Sequence, residues 1–129
     1  MKKKAIISLS IILAVLVTTF IFMVTIPEKK NDAIRQMTIN NVDLSKLDNG
    51  TYNGEFAYGR YTYKVEVAVS GHIIESIKVE HGRDNKHAKA AEGVIDNVIS
   101  KQAIDVEVIS GATTTSKAIL KAVEYALSN

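Results

Sequence analysis

The chain has 129 residues, with 16 Lys+Arg against 14 Asp+Glu, no Cys, no Trp and one Pro. That length excludes a multidomain enzyme. The lack of Cys excludes a disulfide framework, a Cys-based zinc site, an iron–sulfur cluster and a Cys-lipidated anchor, and the near-balance of charge argues against a dedicated nucleic-acid binder, which would carry a basic stripe.

The charge is unevenly placed. Lys2, Lys3, Lys4, Lys29 and Lys30 flank one apolar run, with Glu28 the only acid there, so the rest of the chain is mildly acidic. Residues 5–26 carry no charge, and their polar members are only Ser8, Ser10, Thr18, Thr19 and Thr25. As a helix they rise about 33 Å, enough to cross a hydrocarbon core of about 30 Å. Phe20, Ile21, Phe22 and Met23 stand where a cleavable signal needs small residues. Residues 1–30 are therefore read as a cytoplasmic tip and a transmembrane anchor in the lipid bilayer, with a cleaved signal as the alternative. The lysines before the run place the N-terminus in the cytoplasm and the C-terminal domain outside the cell membrane.

Residues 31–47 are polar with scattered apolar positions (Ile34, Met37, Ile39, Val42, Leu44, Leu47) and read as a stalk that becomes a packed lead-in. Asp48-Asn49-Gly50 signals a turn. Residues 51–58, rich in Tyr and Phe, predict a strand. Residues 61–69 alternate cleanly, with the odd positions apolar, and predict a second strand. Ser70-Gly71 is a two-residue hairpin signal, and 73–79 predicts a third strand. A helix fits 86–100, with Ala88, Ala91, Val94, Ile95, Val98 and Ile99 on one face. Residues 106–109 read as a short strand and 115–127 as a last helix. The predicted order is β-β-β-α-β-α: an α+β domain over 48–129, an antiparallel meander with helices packed on it.

The chemistry concentrates in Ser110-Gly111-Ala112-Thr113-Thr114-Thr115-Ser116-Lys117. A chain that turns at a Gly and enters a helix presents unpaired N–H groups and a partial positive charge, which suits an anion such as phosphate. The hydroxyls there serve as phosphate donors or as a phosphoester carrier. The plainer reading is an N-cap, where Ser and Thr are favoured regardless of function. A P-loop is excluded, since that motif needs Gly where Ser116 stands and Ser or Thr where Ala118 stands. His81 and His87 lack a third ligand at recognisable spacing, so no metal site is expected. Tyr61 and Tyr63 share the alternating strand's apolar face and read as core. Lys117 is either a phosphate partner or a solvated lysine. No nucleophile-elbow motif is present, and no catalytic residue is expected.

Ser-Gly-Ala-Thr-x-Thr-Ser followed by an amphipathic C-terminal helix resembles the FMN-binding domain family, which includes flavin-carrying domains of the sodium-translocating NADH:quinone oxidoreductase and small membrane-tethered electron carriers. The resemblance covers most of 42–127, including Asp48-Asn49-Gly50-Thr51-Tyr52-Asn53-Gly54-Glu55, Tyr58-Gly59 and the Ser70-Gly71-His72-Ile73 hairpin. It implies a covalent FMN esterified to Thr113 by a separate flavin transferase with FAD as donor. It further implies a phosphate-side cradle of Ser110, Gly111, Ala112, Thr114, Thr115 and Ser116, with flavin contacts from Tyr58 and from His81 in the loop after the third strand. The family's attachment pattern has Asp three residues before the Ser. Here Glu107 stands there, one methylene longer, as the expected transferase-recognition carboxylate. The expected protein is an electron-relay carrier between a membrane donor and an external or membrane acceptor, not a stand-alone enzyme. The alternatives are a flavin-free binding or scaffold module of the same fold, or an accessory subunit of a larger redox complex.

Overall fold

The computed structural model describes the chain except for Arg83 and the side chains of residues 25–31 and His81. Helix α1 (Lys2–Arg35) is followed by a 3-10 turn at Leu44–Lys46. Then come strands β1 (Gly50–Tyr58), β2 (Tyr61–Ser70) and β3 (Ile73–His81) and helices α2 (Lys86–Ala91), α3 (Val94–Lys101) and α4 (Thr113–Ser128). The strands form an antiparallel sheet in the order β1-β2-β3. With helices packed on that sheet the architecture is α+β, as the sequence predicts.

Alternation in β2 puts Tyr63, Val65, Val67 and Val69 on the buried face. They meet Ala118, Ile119, Ala122, Val123 and Ala126 of α4, all 2% exposed or less. Burying each branched aliphatic side chain contributes roughly 1.5–3 kcal/mol. Gly54 lets β1 lie against α4: a Cβ there would stand 2.0 Å from the Ala122 carbonyl oxygen and 2.6 Å from the Ala126 nitrogen. In β3 the register slips between Ala68↔Ser76 and Val69↔Ile74, leaving Glu75 as the extra residue of a bulge. Ile74 and Ile77, three apart, thereby share the buried face.

Three local expectations are corrected. The β2–β3 hairpin turns at Gly71 and His72, with φ of +58° and +63°, while Ser70 pairs with Ile73. Two successive positive φ values are what a tight primed turn requires. His72 tolerates its value because its Nδ1–H is shared between the Leu44 and Leu47 carbonyls, at 3.2 and 3.1 Å.

The helix expected over 86–100 is two helices. Glu92, Gly93 and Ile95 each donate to the carbonyl three residues back, and these tight bonds break the helical ladder. Gly93 also sits where a Cβ would lie 3.2 Å from the Ala90 oxygen and 3.5 Å from Ile109.

Residues 106–109 join no sheet. Val106 N–H donates to the Ile104 carbonyl, Ile109 N–H to Ser116 Oγ, and the Glu107 carbonyl accepts from Asn97. These bonds run to a local turn and to side chains rather than to a neighbouring strand. Its place beside β3 is taken by Gln102, whose side-chain amide accepts from Ile74 N–H at 2.8 Å and donates to the Ile74 carbonyl at 3.0 Å.

Helix α1 is apolar over Lys2–Val24, with a mean hydropathy of 2.7, and none of that stretch is buried within the chain. It is a candidate membrane span. Its C-terminal end reaches the domain, where Ile34 is buried. The connector that follows is bonded along its length. Lys117 Nζ donates to the Met37 carbonyl at 2.9 Å, and Lys121 Nζ to Thr38 at 3.4 Å. Asn40 donates from backbone and side chain to Glu124, and Ile104 N–H donates to Asn41 Oδ1.

Candidate functional site

The site is built where α4 begins. Ala112 N–H donates to the Ile109 carbonyl at 3.0 Å, closing a turn in which Gly111 takes φ +78°, a value that favours glycine. Ser116 Oγ, fully buried, accepts from Ile109 N–H at 3.2 Å and pins the far side of that turn to the helix. The N-cap of α4 is Ala112, and no side chain caps the helix. The capping expectation for the Ser and Thr cluster is therefore corrected, because the turn places an alanine at the capping position. The intrahelical ladder opens with Ser116 N–H to Ala112 O at 2.9 Å. The N–H groups of Thr113, Thr114 and Thr115 consequently have no acceptor within the helix, and the positive end of the helix dipole lies among them.

A cavity of about 470 Å³ opens in front of this end, within the roughly 300–1,000 Å³ range of small-molecule sites. Gly111, Ala112, Thr113, Thr114 and Thr115 form one wall. Tyr58 from the end of β1, Asn85 and His87 from the start of α2, and Arg35 from the end of α1 complete it. The Tyr58 ring is stacked on Tyr63, with centroids 6.0 Å apart and planes at 4°. Asn85 Oδ1 accepts from Ala88 N–H at 2.8 Å and caps α2. Arg35 Nε donates to Thr114 Oγ1 at 3.2 Å, and its Nη1 lies 4.0 Å from Asp32. No carboxylate lines the cavity among the described residues, and Arg35 is the permanent positive charge there.

The residues singled out in the sequence divide. Thr113, half-buried, lies on the cavity wall with Gly111, Ala112, Thr114, Thr115 and Tyr58. Ser110 is exposed and lies off that wall; Ser116 is an internal staple. The side chain of His81 lies outside the described residues. Glu107 is exposed, so its carboxylate faces solvent. Lys117, half-buried, lies off that wall, with its ammonium donating to the Met37 carbonyl at 2.9 Å. No group of three metal-ligating side chains forms among the described residues.

Arg35, Asn85 and His87 escaped the sequence reading as members of this wall. Arg35 counts in sequence only as a charge beside an apolar run, 79 positions from Thr114. Asn85 carried a legible signal, since an Asn directly before an apolar-periodic stretch is a helix start.

Behind the site, Glu124 is 7% exposed and ionised in a built environment. Burial pushes its pKa up. The Lys121 ammonium, at 2.9–3.0 Å, and the Asn40 backbone and side-chain N–H groups outweigh that and hold it below its ordinary value.

These residues fit a phosphorylated heterocycle. An uncapped helix end and three hydroxyls meet the phosphate requirement, and the tyrosine-edged cavity supplies room beside it. An uncharacterized protein of Treponema pallidum (strain Nichols) is 34% identical over 85 residues, covering 64% of this chain and 24% of that protein. The chain thus spans about a quarter of that relative's length. The FMN-binding domain family matches residues 58–128, from the tyrosine at the cavity edge to the end of α4. With more than half its residues so matched, the chain belongs to the FMN-binding domain family, which supports FMN as its cofactor.

Proposed function

We propose that this protein is a membrane-anchored, extracytoplasmic flavin carrier that holds FMN through a phosphoester to Thr113 and relays electrons. The observation that carries the reading is Thr113, a half-buried residue with a hydroxyl side chain, on the wall of a cavity at an uncapped helix N-terminus. An acceptor must be a hydroxyl that a modifying enzyme can reach, and the resulting phosphodiester is an anion that the adjacent N–H groups stabilise.

The chain's own residues then have simple roles. Thr113 Oγ is the attachment atom. The N–H groups of Thr113, Thr114 and Thr115 would hold the phosphate, and the Tyr58 ring would edge the space for the heterocycle. Bound FMN supplies one- and two-electron chemistry; the protein supplies attachment, position and polarity. Glu107, exposed eight residues before the third threonine of the run, is available to a flavin transferase as its recognition carboxylate. The apolar stretch of α1 anchors the domain, and Lys2, Lys3 and Lys4 keep its first end in the cytoplasm. The partners are a transferase for maturation, a membrane electron donor, and an external or membrane acceptor.

Co-expression of the full chain with a flavin transferase tests the reading. The expected product is a yellow protein whose flavin fluorescence survives denaturing gels, and Thr113→Ala removes that signal. A wild-type chain that neither takes the label nor retains free FMN sinks the proposal in favour of a flavin-free module.

A further inference from the structure

We propose that Arg35, the last residue of α1, is a phosphate-recognition residue of this cavity, so that cofactor occupancy and the seating of α1 on the domain are coupled. The inference rests on the FMN reading above and goes beyond it, because Arg35 lies outside the matched residues 58–128. It therefore adds something to the site that the matched domain does not contain.

The guanidinium reaches across from α1 to the hydroxyl of Thr114, the second residue of α4, with Nε 3.2 Å from Oγ1. Only that donor is engaged within hydrogen-bond distance among the described residues, and Asp32 stands off at 4.0 Å with both side chains more than half exposed. A guanidinium has five N–H donors in a planar fork that matches phosphate oxygens two at a time. The rival cation of the first helical turn, Lys117, is held by the Met37 carbonyl. Arg35 is thus the side chain placed to pair with a phosphate lying against the N–H groups of α4. It discriminates a phosphorylated flavin from an unphosphorylated one.

The coupling follows by linkage. A phosphate bridging Arg35 and the end of α4 adds a bond between α1 and the domain, so whatever holds α1 in place strengthens binding, and binding holds α1. Ile34, buried beside Arg35, fixes the helix end that carries the guanidinium.

The test uses the full chain in detergent micelles, made without a flavin transferase so that binding is reversible, and titrates FMN and riboflavin by flavin fluorescence. Wild type is expected to favour FMN. Arg35→Ala should weaken FMN by about tenfold, the loss of one charge-assisted bond, and leave riboflavin unchanged. Arg35→Lys should recover part of the difference. Hydrogen exchange provides a second readout: FMN, and not riboflavin, should slow amide exchange in the last turn of α1. FMN affinity indifferent to Arg35→Ala overturns the inference while the flavin reading stands, as does an equal loss for both flavins. A wild type that binds neither flavin overturns this inference, and the covalent labelling test then decides the flavin reading separately.

Discussion

Glu124 is a buried carboxylate whose protonation the folded chain resists. Its pKa is lowered on folding, so its contribution is complete above the ordinary value of about 4.5. As pH falls through the lower folded value, the unfolded chain takes the proton first and that contribution is lost. Urea unfolding of wild type at pH 7 and pH 4 should show this loss, and Glu124→Gln should flatten it. At pH 7 the variant should be less stable by about 1–3 kcal/mol, since hydrogen bonds to a charged group are removed. The proposed acceptor is the other decisive residue. The hydroxyl cluster around Thr113 was legible because it is local, eight consecutive residues stating a turn and a helix start, while the resemblance alone singled out Thr113 within it. Arg35 was not, because nothing in residues 31–47 says where a helix end will be folded back to. Ser116 misled for the same reason. Its hydroxyl is of the right type, but only the packed turn shows it accepting from Ile109.

Among the elements, β1 and α4 depend on one absent side chain. A Cβ on Gly54 would lie 2.0 Å from the Ala122 oxygen, a backbone atom that cannot swing aside. Gly54→Ala should therefore push β1 off α4. Overpacking of this kind costs typically 1–3 kcal/mol. A thermal melt should register a lowered midpoint, whereas Gly59→Ala, with nothing within 4 Å, should suffer only from its φ of +58°. An equal effect of both substitutions would contradict the close contact. The strands themselves were readable from alternation, as the 61–69 pattern anticipates β2. What periodicity could not supply was how backbone groups outside the sheet are satisfied. The expected strand at 106–109 has apolar residues in the right places. Yet the edge of β3 at Ile74 is met by the side chain of Gln102, whose backbone turns left-handed at φ +49° to deliver it. A side chain doing a strand's bonding leaves no trace in a hydrophobic pattern. The split between α2 and α3 turned on Gly93, a residue whose cost within a helix is small enough for either outcome.

At the scale of the molecule, α1 divides into an unburied apolar stretch and an end that packs on the domain. If the stretch spans a bilayer as proposed, a protease added to intact cells should degrade the C-terminal domain and spare it only after the orientation is reversed by moving Lys2, Lys3 and Lys4 past the run. A domain protected in the wild type would place it on the cytoplasmic side. The apolar stretch of α1 was legible in composition. Its packed end was not: residues 31–47 read as a stalk that becomes a packed lead-in, and the helix continues to Arg35 before the chain is fastened to α4 through Met37, Thr38 and Asn40.

That fastening leaves no slack. Helix α1 runs eleven residues beyond Val24, a rise of about 17 Å, and delivers the chain straight onto the domain it carries. If α1 spans a bilayer as proposed, a helical connection narrows the range of heights open to the domain, whereas a loose leash would let the head wander among many. On the proposed reading a redox partner would have to dock at that level, and lengthening the helix by whole turns would raise the cavity past it in steps of about 5.4 Å.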